Sequence, residues 1–124
     1  WPGFDDGLYT GVRLLSILAK TDKNLDELFA EIPDSFATPE INIDINEDIK
    51  FKIVEKILQQ CKKEFPNANI ISIDGVRVEF ENGWALLRAS NTTPCLVLRF
   101  EANSENDLAS IRDKFMRIVN NVLL

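Results

Sequence analysis

In VRVEFENGWALL (residues 76–87) apolar and charged side chains alternate, a turn signal follows, and a second apolar run returns. Successive side chains of an extended strand point to opposite faces, so Val76, Val78 and Phe80 share one face and Arg77 and Glu79 the other. A helical period would scatter these five around an axis. Asn82 and Gly83 are a hairpin signal, because both residue types tolerate positive φ. Trp84 to Leu87 then supplies the partner strand. An antiparallel pair with one apolar face needs something to cover it.

The flanks supply the cover. Downstream, Leu96 to Phe100 reads as another strand. Ser104 and Asp107 resemble a capping box, and Leu108, Ile111, Phe115, Ile118 and Val122 form a helical stripe. Upstream, Asn69 to Ser72 is a short strand candidate. Before it, a helix is expected from about Glu47 to Phe65, with Ile53, Val54, Ile57, Leu58 and Cys61 on one side and Pro66 after its end. Asn46 is its expected cap, with Glu47 and Asp48 in the first turn and Lys62 and Lys63 in the last, as the helix dipole favours. Ile41, Ile43 and Ile45 alternate with Asn42 and Asp44 as a half-buried strand. The order of strand, helix, antiparallel strands and helix predicts an α+β two-layer domain. Its sheet has at least four mainly antiparallel strands, from Glu40 to Asn103, with two helices on one face.

The beginning of the chain follows another pattern. Leu8, Val12, Leu15 and Leu18 keep helical spacing, after Asp5, Asp6 and Gly7, which read as a turn opening a helix. A second short helix is capped by Asn24 with Glu27 three residues on. Leu25, Leu28, Phe29 and Ile32 are its expected buried stripe, and Pro33 its stop. Turn composition from Asp34 to Pro39 marks a boundary. The expected division is a helical segment at 1–37, the tail of a preceding domain, and a second domain at 38–124. The chain starts at Trp1 without methionine and reads as a piece of something longer.

Composition narrows the chemistry. With no histidine, the chain cannot assemble a Ser-His-Asp or Cys-His pair or an HExxH zinc helix. A net charge of -6 disfavours nucleic-acid backbones. No run approaches the length of a membrane span. Cys61 and Cys95 lack framework spacing and read as reduced thiols, so a cytoplasmic protein is expected. Asp44, Asn46, Asp48 and Glu55 match four positions of a calcium loop, but Ile49 stands where the sharp turn wants glycine. A helix start explains the same residues.

RASNTTP (residues 88–94) separates the last two strands. Arg88 offers a planar fork matched to phosphate or carboxylate oxygens. Ser90, Asn91, Thr92 and Thr93 add hydroxyls and an amide, turn N–H groups can complete an anion nest, and Pro94 fixes the exit. A polar hairpin turn with an incidental arginine is the simpler alternative, since these residue types are common in turns. A different class of function is a stand-alone module binding a peptide or RNA on the open sheet face. RNA-reading sheets display aromatics there. Here Arg77, Glu79, Arg99 and Glu101 are expected to pair across strands, and Trp84 to belong to the core.

DGVRVEF (74–80) and GWALLRASNTTPCLVLRFEA (83–102) together resemble the C-terminal domain of the α-D-phosphohexomutases, especially the bacterial phosphomannomutase/phosphoglucomutase branch. The resemblance extends to TPEINI (38–43) and to WPGFDDGLYTG (1–11), the latter like the end of the family's third domain. It implies that Arg88, Ser90, Asn91 and Thr92 contact the phosphate of a bound phosphosugar. Thr93, where many relatives carry glutamate, is an additional candidate and fits the mannose/glucose branch. For the whole enzyme it implies reversible phosphate transfer between C1 and C6 of a hexose, through a phosphoserine and a bisphosphorylated sugar, with magnesium. The expected partners are mannose and glucose 1- and 6-phosphates and the upstream domains. The serine, metal and sugar-reading loops of that family are not found in this sequence, so no catalytic residue and no metal ligand is assigned to it.

Overall fold

The computed structural model describes Gly3 and residues 5–124. The chain divides into two compact units, 1–34 and 35–124. The first holds helix α1 (Gly7–Leu18) and helix α2 (Leu25–Phe29). Asp6 caps α1, its carboxylate accepting from the Tyr9 N–H at 2.9 Å. Asn24 and Glu27 form a reciprocal capping box on α2, at 3.0 and 2.7 Å. The expected burial does not follow. Neither helix contains a buried residue, and Leu25, Phe29 and Ile32 are exposed. Nor does α2 reach Pro33; it ends at Phe29, and turns continue to Ile32.

The second unit contains strands β1 (Phe36–Ala37) and β2 (Ile41–Asp44), helix α3 (Lys50–Glu64), strands β3 (Asn69–Ile71), β4 (Val76–Phe80), β5 (Gly83–Ala89) and β6 (Cys95–Ala102), and helix α4 (Glu105–Leu123). Among the described residues these strands form one antiparallel sheet, ordered β1-β6-β5-β4-β3, with β2 also on β6. β1 and β2 share one edge of β6, at Ala102–Glu101 and Leu98–Cys95 respectively. Between them Pro39 has no N–H to give the ladder, while the Thr38 N–H still donates to Phe100 O at 3.0 Å.

Register decides which face each side chain takes. Ala85 opposes Phe100, Leu87 opposes Leu98 and Ala89 opposes Leu96. These residues join Val76 and Val78 in one core with Ile53, Ile57 and Cys61 of α3 and Ile111, Phe115, Ile118 and Val119 of α4. Phe100 meets Phe115 edge to face at 5.8 Å, and Phe65 meets Phe80 at 5.1 Å. Both helices therefore cover the face that the period-two alternation marks. Ser104 caps α4 by accepting from the Asp107 N–H at 3.1 Å, and its hydroxyl donates to the Asp107 carboxylate at 2.6 Å.

Three local expectations are corrected. α3 starts at Lys50, not near Glu47, because Asn46 Oδ1 takes the Asp48 N–H at 2.9 Å and forms a separate turn first. The β4–β5 turn is Glu81–Asn82, one residue earlier than the Asn-Gly signal, since Gly83 is already paired with Phe80. Asn82 does not take positive φ; its backbone O accepts from Asn103 N–H and its side chain donates to Asp107. Glycine is needed at 83 for close approach, because a Cβ there would lie 2.2 Å from Glu101 O. Finally, Trp84 sits on the face opposite the core, beside Glu79 in the ladder.

Candidate functional site

β5 carries Trp84, Leu86 and Arg88 to the face that the helices leave open, while Ala85, Leu87 and Ala89 enter the core. Arg77 on β4 lies over the Trp84 ring at 4.1 Å, and its Nε donates to Glu79 Oε1 at 3.2 Å. The ion pair thus forms within one strand, not across the ladder, and Arg99 and Glu101 form none among the described residues. A hydrogen bond from Asn69 and then one from Arg77 hold the Glu79 carboxyl below the ordinary carboxylate range. The same face has a groove of about 240 Å³ lined by Ile71, Ile73, Asp74, Arg77, Leu86 and Arg88.

Arg88 is half-buried at the end of β5, opposite Val97. Its guanidinium forms no hydrogen bond or ion pair with any described residue. The backbone beneath it is fixed by Gly75, which adopts φ +108° and touches the Arg88 main chain; a Cβ there would meet Leu87 O at 2.3 Å and Arg88 Cα at 2.8 Å.

Ser90 organises the loop that follows. It is 7% exposed, and its Oγ accepts from the Thr92 N–H at 3.3 Å, the Thr93 N–H at 3.1 Å and the Thr93 hydroxyl at 2.8 Å. Thr92 Oγ1 lies 3.4 Å from the same oxygen. The loop neck is closed by Ser90 N–H to Cys95 O and Cys95 N–H to Thr93 O, both 2.9 Å, and Ile45 N–H reaches Pro94 O from the end of β2. Ser90, Thr92 and Thr93 are thus brought together. Asn91 is exposed at the tip, and Arg88 stands two residues before the cluster on its strand. The turn N–H groups of Thr92 and Thr93 face the Ser90 oxygen instead of forming an outward nest. The side-chain donors left for a ligand are therefore the Arg88 guanidinium and the exposed Asn91 amide, while Ser90 and Thr92 share a 3.4 Å contact in which either hydroxyl donates, leaving the other's proton available. Thr93, by contrast, donates inward and lies 3.2 Å from Cys95 Sγ.

One residue that pattern reading missed lies under this loop. Lys50, 1% exposed, donates to Ser90 O and to Glu47 Oε1, each at 2.6 Å. The signal was present: positions 50, 53, 57 and 61 are the buried stripe of α3, and the first of them is a lysine. Magnesium, implied for the whole enzyme by the resemblance, finds no donor set here, because among the described residues no three His, Cys, Asp or Glu side chains converge.

The fold and the loop define a class: an antiparallel α+β domain with a hydroxyl-rich, arginine-preceded loop at one end of its sheet. Residues 40–118 match the sequence profile of "Phosphoglucomutase/phosphomannomutase, C-terminal domain". The chain belongs to that family. It is 52% identical to a phosphomannomutase/phosphoglucomutase of Pseudomonas putida, over 93% of this chain and 24% of the relative. It is 47% identical to a phosphoglucomutase of Neisseria gonorrhoeae, over 96% of this chain and 26% of the relative. A crystal structure of a phosphoglucomutase/phosphomannomutase family protein from Burkholderia thailandensis superposes with a TM-score of 0.80 at 42% identity, over 98% of this chain and 25% of that one. The chain thus spans about a quarter of the length of the proteins it matches.

Proposed function

We propose that this chain is the phosphate-holding part of a phosphohexomutase, an enzyme that interconverts hexose 1- and 6-phosphates of mannose and glucose in the cytoplasm. In this reading the helical unit at 1–34 is the tail of the preceding domain and 35–124 the C-terminal domain; the expected boundary at 37 moves back because β1 (Phe36–Ala37) pairs with β6. The observation that carries it is an arginine whose guanidinium has no hydrogen-bond or ion-pair partner among the described residues, beside a serine-centred loop, in a chain of this family. Arg88 grips a phosphate dianion through its fork, and Ser90, Asn91 and Thr92 donate further hydrogen bonds. The phosphate held here is the one not being transferred. Holding it fixes the reacting end of the sugar against the upstream domains, and positioning is a large share of phosphoryl-transfer catalysis. A domain bearing the clamp also closes the cleft over substrate, then releases it when the bisphosphate reorients.

The chain alone is expected to lack mutase activity and to bind phosphate weakly. A charge-assisted hydrogen bond contributes about 1.5–3 kcal/mol, and association costs at least about 4 kcal/mol. Two or three bonds leave millimolar affinity as the natural scale. The test is a titration of isotope-labelled protein with glucose 1-phosphate, followed by amide shifts. Movement concentrated at residues 88–93 is the expected result; movement elsewhere rejects the clamp. A parallel oligonucleotide titration addresses the alternative sheet-binding module. Binding there is not expected, since the Trp84 ring is covered by Arg77.

A further inference from the structure

We infer that Lys50 is a positioning residue of the 88–94 loop, setting its anion affinity through the carbonyl of Ser90. The inference rests on the phosphate reading above for its ligand, but not for its geometry. Lys50 is 1% exposed, in a helix position otherwise filled by Ile53, Ile57 and Cys61. A cation is expensive to bury there and needs compensating partners. Its Nζ has Ser90 O at 2.6 Å, Glu47 Oε1 at 2.6 Å and the Phe51 ring centroid at 5.2 Å. The Glu47 side chain is 60% exposed, so that ion pair is weak by itself. The buried partner is the loop.

The consequence runs through one residue. Ser90 O accepts from Lys50, Ser90 N–H donates to Cys95, and Ser90 Oγ gathers Thr92 and Thr93. Pinning its carbonyl toward α3 fixes the peptide plane between Ser90 and Asn91. That plane sets where the Asn91 and Thr92 side chains emerge. The ammonium also places a positive charge behind a loop read as an anion site, where low dielectric strengthens its field.

The experiment uses the whole 124-residue chain, inorganic phosphate as probe, and two variants. In Lys50→Met the Ser90 and Cys95 amides are expected to exchange faster by about tenfold. The phosphate Kd rises by a similar factor, the size expected for one lost charge-assisted bond. The Leu87 and Leu98 amides, which belong to the sheet, keep their wild-type exchange. Glu47→Gln keeps the Lys50–Ser90 bond and is expected to leave loop exchange unchanged and phosphate affinity unchanged or tighter.

Loop and sheet amides accelerating equally in Lys50→Met, with Kd for the folded protein unaltered, would reduce Lys50 to a general stabiliser and overturn the inference. A loosened loop or weaker phosphate binding in Glu47→Gln would overturn it as well, even if Lys50→Met did not fold. Absence of any phosphate shift at 88–93 in the wild type would reject the phosphate reading instead. The exchange comparison would still judge Lys50.

Discussion

At the scale of residues, Arg88 and Gly75 make opposite demands. The Arg88 guanidinium forms no hydrogen bond or ion pair among the described residues, so Arg88→Ala removes little that the fold uses. Its cost to stability is expected to stay within about 0.5 kcal/mol. Its cost to phosphate binding is expected to be about tenfold or more, one charge-assisted bond at least. Urea unfolding and the phosphate titration measure the two separately, and comparable losses in both would show that Arg88 is a packing residue. Gly75→Ala reverses the pattern. At φ +108°, with a Cβ placed 2.3 Å from Leu87 O, alanine is strained and clashes with backbone. A loss of at least about 2 kcal/mol is expected, read as a lower urea midpoint at unchanged slope.

At the scale of elements, the helices on the sheet have separable weak points. Ser104→Ala removes the only side-chain acceptor that α4's cap provides to the Asp107 N–H and is expected to cost about 1 kcal/mol. On α3, burial raises the Cys61 thiol from its ordinary value of 9.0 to about 12. A raised folded pKa means that unfolded chains lose this proton first. The stability it represents is complete below pH 9.0 and is lost as pH rises toward about 12. Cys61→Ala is therefore expected to flatten the alkaline fall in urea stability; an identical slope in both proteins would remove Cys61 as its cause. What was legible in the sequence follows the same division. The β4–β5 pair, β6 and α4 carry clean periods of two and 3.6, and burial enforces those periods. The start of α3 was not legible, because Asn46 serves a turn as well as it would serve a cap. Trp84 misled because size suggests core, whereas parity with Leu86 and Arg88 assigns the open face. The loop residues were visible as a motif, but Ser90's role as hub was not, since hydrogen bonding within a turn leaves no period. Lys50 was hidden by its charge.

At the scale of the whole molecule, the two units differ in what can hold them together. The unit at 35–124 has one core in which Ile57, Val76, Leu87, Leu98, Phe100 and Phe115 are fully buried. The unit at 1–34 has two helices with no buried residue; Leu8 is 84%, Val12 55% and Leu15 64% exposed. Caps alone do not stabilise helices of this length. Isolated helices below about 12–15 residues are marginal in water, and most helical stability in proteins comes from packing an apolar face. The opening free energy of α1 and α2 is therefore expected near the bottom of the range, and that of the β5–β6 ladder near the global value. Amides of Gly7–Leu18 and Leu25–Phe29 should exchange at least about a hundredfold faster than those of Leu87, Leu98 and Phe100, a gap of only about 2.7 kcal/mol. Near-UV signals from the sheet unit should persist in urea that has already removed the helical amides' protection. Equal protection of both units in a monomer would mean that the exposed leucines are buried in solution and that the chain unfolds as one body. Lengthening the chain toward its N-terminus with the corresponding part of a whole phosphohexomutase should slow exchange in α1 and α2 and leave the sheet unchanged. That outcome would show that the added segment covers the exposed face of α1 and α2.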